Sequence, residues 1–382
     1  MERHVEEGTV GGVAWLAARD DQVEVGTAGN LTRGEAKPVQ RDTMFRIASM
    51  TKPILAVGTL ILVEECRLRL DDPVDNILPE LANRRVLVNG GGPIDGETVP
   101  AQRPITVRDL LTFQLGLGMD FAAPWPQPLL EAMSELGVGS GPPEPQVLPE
   151  PDEWVRRMST LPLLYQPGER WLYHVGSDVL GVLVARAAGQ PLGAYLKERV
   201  FEPLGMADTG FAASDVERLG SCHGKNPATG EPFVYDAPDG QWSKPPVFPS
   251  GGGGLVSTVD DYLAVAAMLM RNGRLVDGFR LVSRPSVETM TTDHIGADRR
   301  VPGPLPDGSQ GWGFGVGVQV RRTGLPTVGS YGWAGGLGSS WANDPSERLI
   351  GVVLTTDMFS SAFPPPVTIQ DFWTCAYAMV DD

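Results

Sequence analysis

An α/β (α+β) fold is predicted: an antiparallel sheet flanked by helices, with a mainly helical domain inserted between the two chain ends that build the sheet. Three observations carry the prediction. Strand-like alternation opens the chain and returns in its last third. The gaps between the late strand-like runs are short, which suits hairpins rather than crossover helices. Between them lie helical segments interrupted by proline-rich loops. The expected division is an α/β domain from residues 1–75 and 245–382, and a helical domain from 76–244. With 382 residues, 42% of them hydrophobic and 20% charged, the chain has globular composition and enough length for a large core.

The first elements are two strands, Gly12–Arg19 and Gln22–Gly29, joined by a polar turn at Asp20-Asp21. A helix is expected next, starting at or just before Ser49 and continuing through Pro53, Ile54, Leu55, Val57, Leu60 and Ile61. Proline is tolerated in a first turn and the apolar residues supply a buried face. Asp71-Asp72-Pro73-Val74-Asp75 ends this unit with turn residues. Thr106 is read as a helix cap with Asp109 at the third helical position. Pro124 to Pro151, dense in Pro and Gly, reads as a surface excursion beside a site. Val179 to Ala185 continues as an apolar helix ending near Gly189. Thr258 caps another helix that runs through Met270 to Asn272-Gly273. Strand-like runs follow at Gly313–Val320, Gly338–Ala342 and Leu349–Thr356.

Ser49-Met50-Thr51-Lys52 carries the chemistry. On a helix, positions i and i+3 share a face, so the Lys52 amine reaches the Ser49 hydroxyl. A serine hydroxyl is a weak nucleophile, and an amine takes its proton only when burial or a neighbouring cation lowers the amine pKa. The unpaired N–H groups of a helix start favour negative charge developing beside the serine. Alone, the tetrapeptide is equally an N-capping serine followed by a solvated lysine, so it needs support from elsewhere.

Charge and composition narrow the rest. A net charge of −16 argues against nucleic acid or an anionic membrane as the main partner. Cys66, Cys222 and Cys375 outline no disulfide framework, and the first residues have no apolar signal-peptide core. A cytoplasmic protein is the expectation. His4, His174, His223 and His294 lack zinc-site spacing, and Gly251-Gly252-Gly253-Gly254 lacks the lysine of a phosphate loop. No metal and no cofactor are expected.

Tyr173, in Leu172-Tyr173-His174-Val175-Gly176-Ser177-Asp178-Val179-Leu180-Gly181, and Trp333, opening Trp333-Ala334-Gly335-Gly336, supply the support. With Ser49-x-x-Lys52 they resemble the three motifs of the class C β-lactamase fold, in the form carried by family VIII carboxylesterases. Leu110-Leu111-Thr112, Pro167-Gly168, Pro203-Leu204-Gly205-Met206 and Ser250-Gly251-Gly252-Gly253-Gly254-Leu255 match in the same order, so the resemblance covers nearly the whole chain. It implies that Ser49 is acylated, that Lys52 and Tyr173 share the acid and base work, and that the backbone N–H groups of Ser49 and Gly336 hold the oxyanion, with Trp333 and Gly335 shaping the substrate side. A tyrosine hydroxyl beside an ammonium is expected to be held as phenolate. Whether Lys52 or Tyr173 is the base stays open.

Three departures matter. Lactamases begin the third motif with Lys or His, then Thr or Ser; Trp333-Ala334 replaces cation and hydroxyl with apolar surface, which favours esters over penicillins. Tyr173-His174-Val175 lacks the asparagine of the lactamase Tyr-x-Asn, and His174 reads as a surface residue first, with a hydrogen bond to Tyr173 or a substrate contact as the alternatives. Phe113-Gln114-Leu115-Gly116 replaces the usual His-Thr-Ser-Gly, with no consequence assigned. The expected function is hydrolysis of small-molecule esters with short to medium acyl chains. The alternatives are acyl transfer, amide or D-aminopeptide cleavage, weak β-lactam hydrolysis on the same site, or a catalytically idle binding scaffold. Oligomeric state is not legible.

Overall fold

The computed structural model describes residues 1–20, 22–226, 228–297, 307–360 and 364–380. The chain opens with the hairpin β1 (Gly12–Arg19) and β2 (Gln22–Gly29), in the register Gly12↔Gly29 to Arg19↔Gln22. The turn carries Asp20 at φ 55°, while Asp21 lies outside the described residues. The late strands are β3 (Gln310–Trp312), β4 (Gly317–Gln319), β5 (Tyr331–Gly335), β6 (Ser339–Asp344) and β7 (Leu349–Thr355). They join the hairpin in one antiparallel sheet ordered β2-β1-β7-β6-β5-β4-β3. The two chain ends thus close on each other through β1 and β7, where Val13 faces Thr355 and Arg19 faces Leu349.

Both faces of the central strands are covered. All of β7 is buried, as a strand sandwiched between helices must be. Helix α4 (Val367–Tyr377) packs on one face through Ile369, Phe372 and Ala376 against Val13, Ala17 and Val353. On the other face, α3 (Val259–Met270) packs on β1, β6 and β7. It begins as expected, with Thr258 Oγ1 accepting the Asp261 N–H at 3.2 Å.

Helix α1 (Thr51–Glu64) is buried from Thr51 through Leu62, so it has no solvent face and sits at the centre of the molecule. It packs against α2 (Val175–Ala188), which ends in Gly189 at φ 69°. One apolar cluster runs from Leu16 and Val352 of the sheet through Ile54 and Val57 to Leu110, Leu180 and Leu192 of the middle segment. The Thr106 cap forms with its reciprocal bond to Asp109. No single helix among the described residues is long and apolar enough to cross a membrane; the bent pair Val175–Ala188 and Leu192–Leu204 passes that test only jointly, across a 77° bend.

Three sequence expectations change. The run Gly313–Val320 is a strand only over Gly317–Gln319, because Gly313-Phe314-Gly315 turns, with Gly315 at φ 69° against the Lys52 carbonyl. Strands β3 and β5 were not foreseen, since their glycines and aromatics break period-two alternation. The proline-rich stretch from Pro124 to Pro151 is more than a surface excursion. It holds the helix Pro128–Glu135, which buries Leu129, Leu130 and Met133.

Candidate active site

Ser49 lies in a 3₁₀ turn, Ala48–Met50, that runs directly into α1. The turn is entered through Ala48 at φ 43°, a left-handed conformation that a non-glycine residue holds only when its surroundings enforce it. They do so on both sides of Ile47. Its N–H donates to Leu255 O at 3.0 Å, and its carbonyl accepts the Ser339 hydroxyl at 2.9 Å. Gly335 completes the clamp. A Cβ at Gly335 would sit 2.2 Å from the Ile47 carbonyl oxygen, so only glycine lets the end of β5 meet the nucleophile turn backbone to backbone.

Lys52, one turn along, is 1% exposed. Its Nζ lies 2.9 Å from Ser49 Oγ, 2.5 Å from Gly252 O and 3.2 Å from His174 Nδ1. Burial lowers its pKa to about 7, with the Asp178 charge opposing the shift. Near neutral pH a large share of Lys52 is therefore free amine, in hydrogen-bond reach of a hydroxyl proton.

Tyr173 is fixed by paired backbone bonds with Met119, at 2.8 and 3.0 Å. Its hydroxyl accepts the Trp333 indole N–H at 2.6 Å and also interacts with Ser49. The phenolate expectation is overturned. Burial pushes the Tyr173 pKa up to about 12, outweighing the hydrogen bonds from Ser49 and Trp333. Lys52 Nζ stands over the face of the Tyr173 ring, 4.8 Å from its centre, and among the described residues makes no hydrogen bond to the phenol oxygen, so burial decides the sign. Tyr173 is a phenol with a proton to give.

His174 is not the surface residue expected. It is half-buried at φ 78°, with Nδ1 toward Lys52 and Nε2 3.1 Å from Asp178 Oδ2. Asp178 Oδ1 accepts the Ser250 hydroxyl at 2.6 Å and the Gly252 N–H at 2.9 Å. Burial pushes the Asp178 carboxyl up, but the His174 charge and hydrogen bond, with those of Ser250 and Gly252, hold it below its usual range. Burial and the Lys52 charge hold His174 below the ordinary histidine range, against the pull of Asp178. The loop that carries the Gly252 carbonyl to Lys52 is thus tied to the same carboxylate that orients His174.

Phe113, at φ 58°, stacks on Trp312 at 4.9 Å and meets Tyr173 edge-on at 5.6 Å. Trp312 in turn meets Trp333 edge-on at 4.6 Å. This is what Phe113-Gln114-Leu115-Gly116 contributes: an aromatic box that holds Tyr173 and Trp333 in register. Gly336 follows β5 on the exposed side, and among the described residues neither its N–H nor that of Ser49 has a backbone partner. Met119, Leu130, Met133, Val138, Pro143 and Leu148 line a narrow cleft of about 70 Å³ together with Tyr173 and His174. The structure brings together Ser49, Lys52, Tyr173, Trp333 and Gly335. It adds His174, Asp178, Ser250, Phe113 and Trp312. Of these, the His174/Asp178 pair had a sequence signal in its i,i+4 spacing ahead of an apolar helix.

The family model for Beta-lactamase matches residues 1–369. The chain belongs to the beta-lactamase family. Within that family it is 32% identical to Esterase EstB of Burkholderia gladioli over 390 residues, spanning 95% of this chain and 90% of the relative. It is 37% identical to an uncharacterized protein of Mycobacterium tuberculosis (strain CDC 1551 / Oshkosh) over 352 residues, 89% of this chain and 84% of that one. Among solved structures it is similar to EstCE1, described as a hydrolase with promiscuous acyltransferase activity, at TM-score 0.79 and 26% identity over 97% of this chain and 95% of the other. This beta-lactamase family chain is an enzyme of the β-lactamase-like serine hydrolase superfamily.

Proposed function

We propose that the protein is a serine carboxylesterase that cleaves small esters of short to medium acyl chains through a Ser49 acyl-enzyme. The observation that carries this reading is the 2.9 Å approach of Lys52 Nζ to Ser49 Oγ, with the amine brought to about pKa 7 by burial. Free Lys52 takes the Ser49 proton as Oγ attacks the ester carbonyl. The Ser49 and Gly336 N–H groups receive the oxyanion. The Tyr173 phenol, aimed by Trp333, protonates the departing alcohol and is reprotonated from Lys52. Water then repeats the sequence on the acyl-enzyme. Trp333 and Ala334 offer apolar surface where a carboxylate-binding cation would serve a lactam. A cytoplasmic location belongs to the same reading, supported by three cysteines that are all free.

The deciding experiment compares p-nitrophenyl butyrate with nitrocefin and adds a fluorophosphonate probe. Ester turnover with little or no nitrocefin turnover, and label on Ser49, are expected. Faster nitrocefin cleavage would overturn the preference for esters, and absence of labelling would return the idle scaffold. Acyl transfer to an alcohol is the second reading, favoured by the acyltransferase activity named for EstCE1. An added alcohol that diverts butyrate from acid to a new ester would establish it.

The pH profile tests Lys52 as base. Activity should fall as pH drops through about 7, because Lys52 becomes protonated. The Asp178 charge raises the Lys52 pKa, so Asp178→Asn should move this acidic limb to lower pH. It should also lower kcat by about tenfold, since His174 and the Gly252 loop lose their charged anchor. An unmoved limb would remove Lys52 from that role.

A further inference from the structure

Far along α3 from its Thr258 cap, the chain builds a second pocket that shares no lining residue with the cleft at Tyr173. It is open to solvent, measures about 330 Å³ and is lined by Arg271, Asn272, Arg274, Arg280, Arg284 and Pro285. Four guanidinium groups around one pocket are unexpected in a chain of net charge −16. The scaffold beneath them is ordered by backbone bonds. Arg274 and Arg280 face each other across a small antiparallel bridge, closed by Leu275 N–H to Phe279 O at 2.8 Å. Leu281 N–H donates to Gly273 O at 2.9 Å, which ties this loop to the end of α3.

Elsewhere among the described residues the guanidinium groups are occupied, as with Arg33 on Asp357, Arg103 on Asp109 and Arg186 on Glu80 and Asp152. Of the pocket arginines, Arg284 pairs with Glu288. Arg271, Arg274 and Arg280 make no side-chain hydrogen bond or ion pair among the described residues, and Arg280 acts only through its field on Glu64. The Glu64 carboxylate is itself engaged by the Ser283 N–H and the Ser286 hydroxyl. Asp277, the acid on the same loop, is turned to the Phe279 N–H. Complementing the C-terminal end of α3 accounts for Arg271 alone. It does not account for four arginines on three separate segments.

We propose that this pocket binds a phosphate-bearing anion. Guanidinium forks match phosphate oxygens in pairs, and three of them are uncommitted here. At physiological ionic strength the acidic remainder of the surface is screened beyond roughly 8 Å, so the local arginines set the field an anion meets. Val276 and Phe279, on the loop between Arg274 and Arg280, are 87% and 56% exposed. They give the apolar part of an organic phosphate or a phospholipid a surface beside the charge.

The test uses the full chain at physiological ionic strength, in two arms. Calorimetric titration with inorganic pyrophosphate reads soluble phosphate, and co-sedimentation with phosphatidylglycerol against phosphatidylcholine vesicles reads a lipid headgroup. Saturable binding in at least one arm is expected, weakened tenfold or more in Arg274→Gln/Arg280→Gln. Both side chains are exposed, so the variant should keep the wild-type melting curve and p-nitrophenyl butyrate turnover. Binding to pyrophosphate assigns a free phosphate compound, and binding only to anionic vesicles assigns the headgroup. No saturable binding in either arm, or binding that survives the double substitution, overturns the proposal.

Discussion

Ser49→Ala should reduce p-nitrophenyl butyrate hydrolysis by on the order of 10⁴- to 10⁶-fold and abolish fluorophosphonate labelling, while leaving the protein folded. The size of the loss follows from the absence of any substitute nucleophile in the geometry. Lys52 is directed at Ser49, Gly252 and His174, and Tyr173 is held by Trp333, so neither is free to attack a carbonyl placed at the Ser49 and Gly336 amides. The fold should survive because the structure holds the Ser49 turn by its neighbours rather than by its hydroxyl. Ile47 is bonded to Leu255 and Ser339, and Gly335 is pressed against the Ile47 carbonyl. The melting temperature is the control. A variant with wild-type melting and intact ester turnover would show that acylation does not occur at Ser49.

The parts of this site that lie close in sequence were readable from it. Ser49 and Lys52 are three residues apart on one helical turn, and Thr106/Asp109 and Thr258/Asp261 are caps with local signatures. The hairpin from Gly12 to Gly29 was readable for the same reason, since its register is set by its own turn. What was not legible is what long-range packing decides. Asp178 meets Ser250 and Gly252 across separations of 72 and 74 residues, and nothing in the words around either segment reports that meeting. The protonation state of Tyr173 is not legible in sequence because a pKa depends on direction as well as proximity. Lys52 lies over the ring and makes no hydrogen bond to the oxygen among the described residues, and burial then decides the sign. The surface expectation for His174 fails because one sequence position does not report the backbone conformation that aims its ring. Its backbone, at φ 78°, turns the ring inward instead.

Lys52→Met should separate catalysis from stability. Loss of the base should lower kcat/KM for the butyrate ester by about 10³- to 10⁴-fold, with the remaining activity no longer falling as pH drops through 7. Stability should move the other way, or not at all. Lys52 is buried in the first turn of α1, and its pKa falls from 10.5 to about 7 on burial. The sign follows from linkage. The folded state binds the Lys52 proton less tightly than the unfolded chain, so folding carries a penalty that is absent above pH 10.5 and grows as pH falls toward 7. Methionine, of similar length and no charge, removes that penalty and leaves the Gly252 carbonyl without its amine partner. The first effect is the larger at neutral pH and vanishes at high pH. The variant should therefore melt no lower than wild type near pH 7, and its relative advantage should shrink as pH rises toward 10. A variant that melts lower at pH 7 would mean that Lys52 is held by its hydrogen bonds more than it is penalised by burial. In that case its pKa would lie well above 7, and the acidic limb of the activity profile would belong to another group.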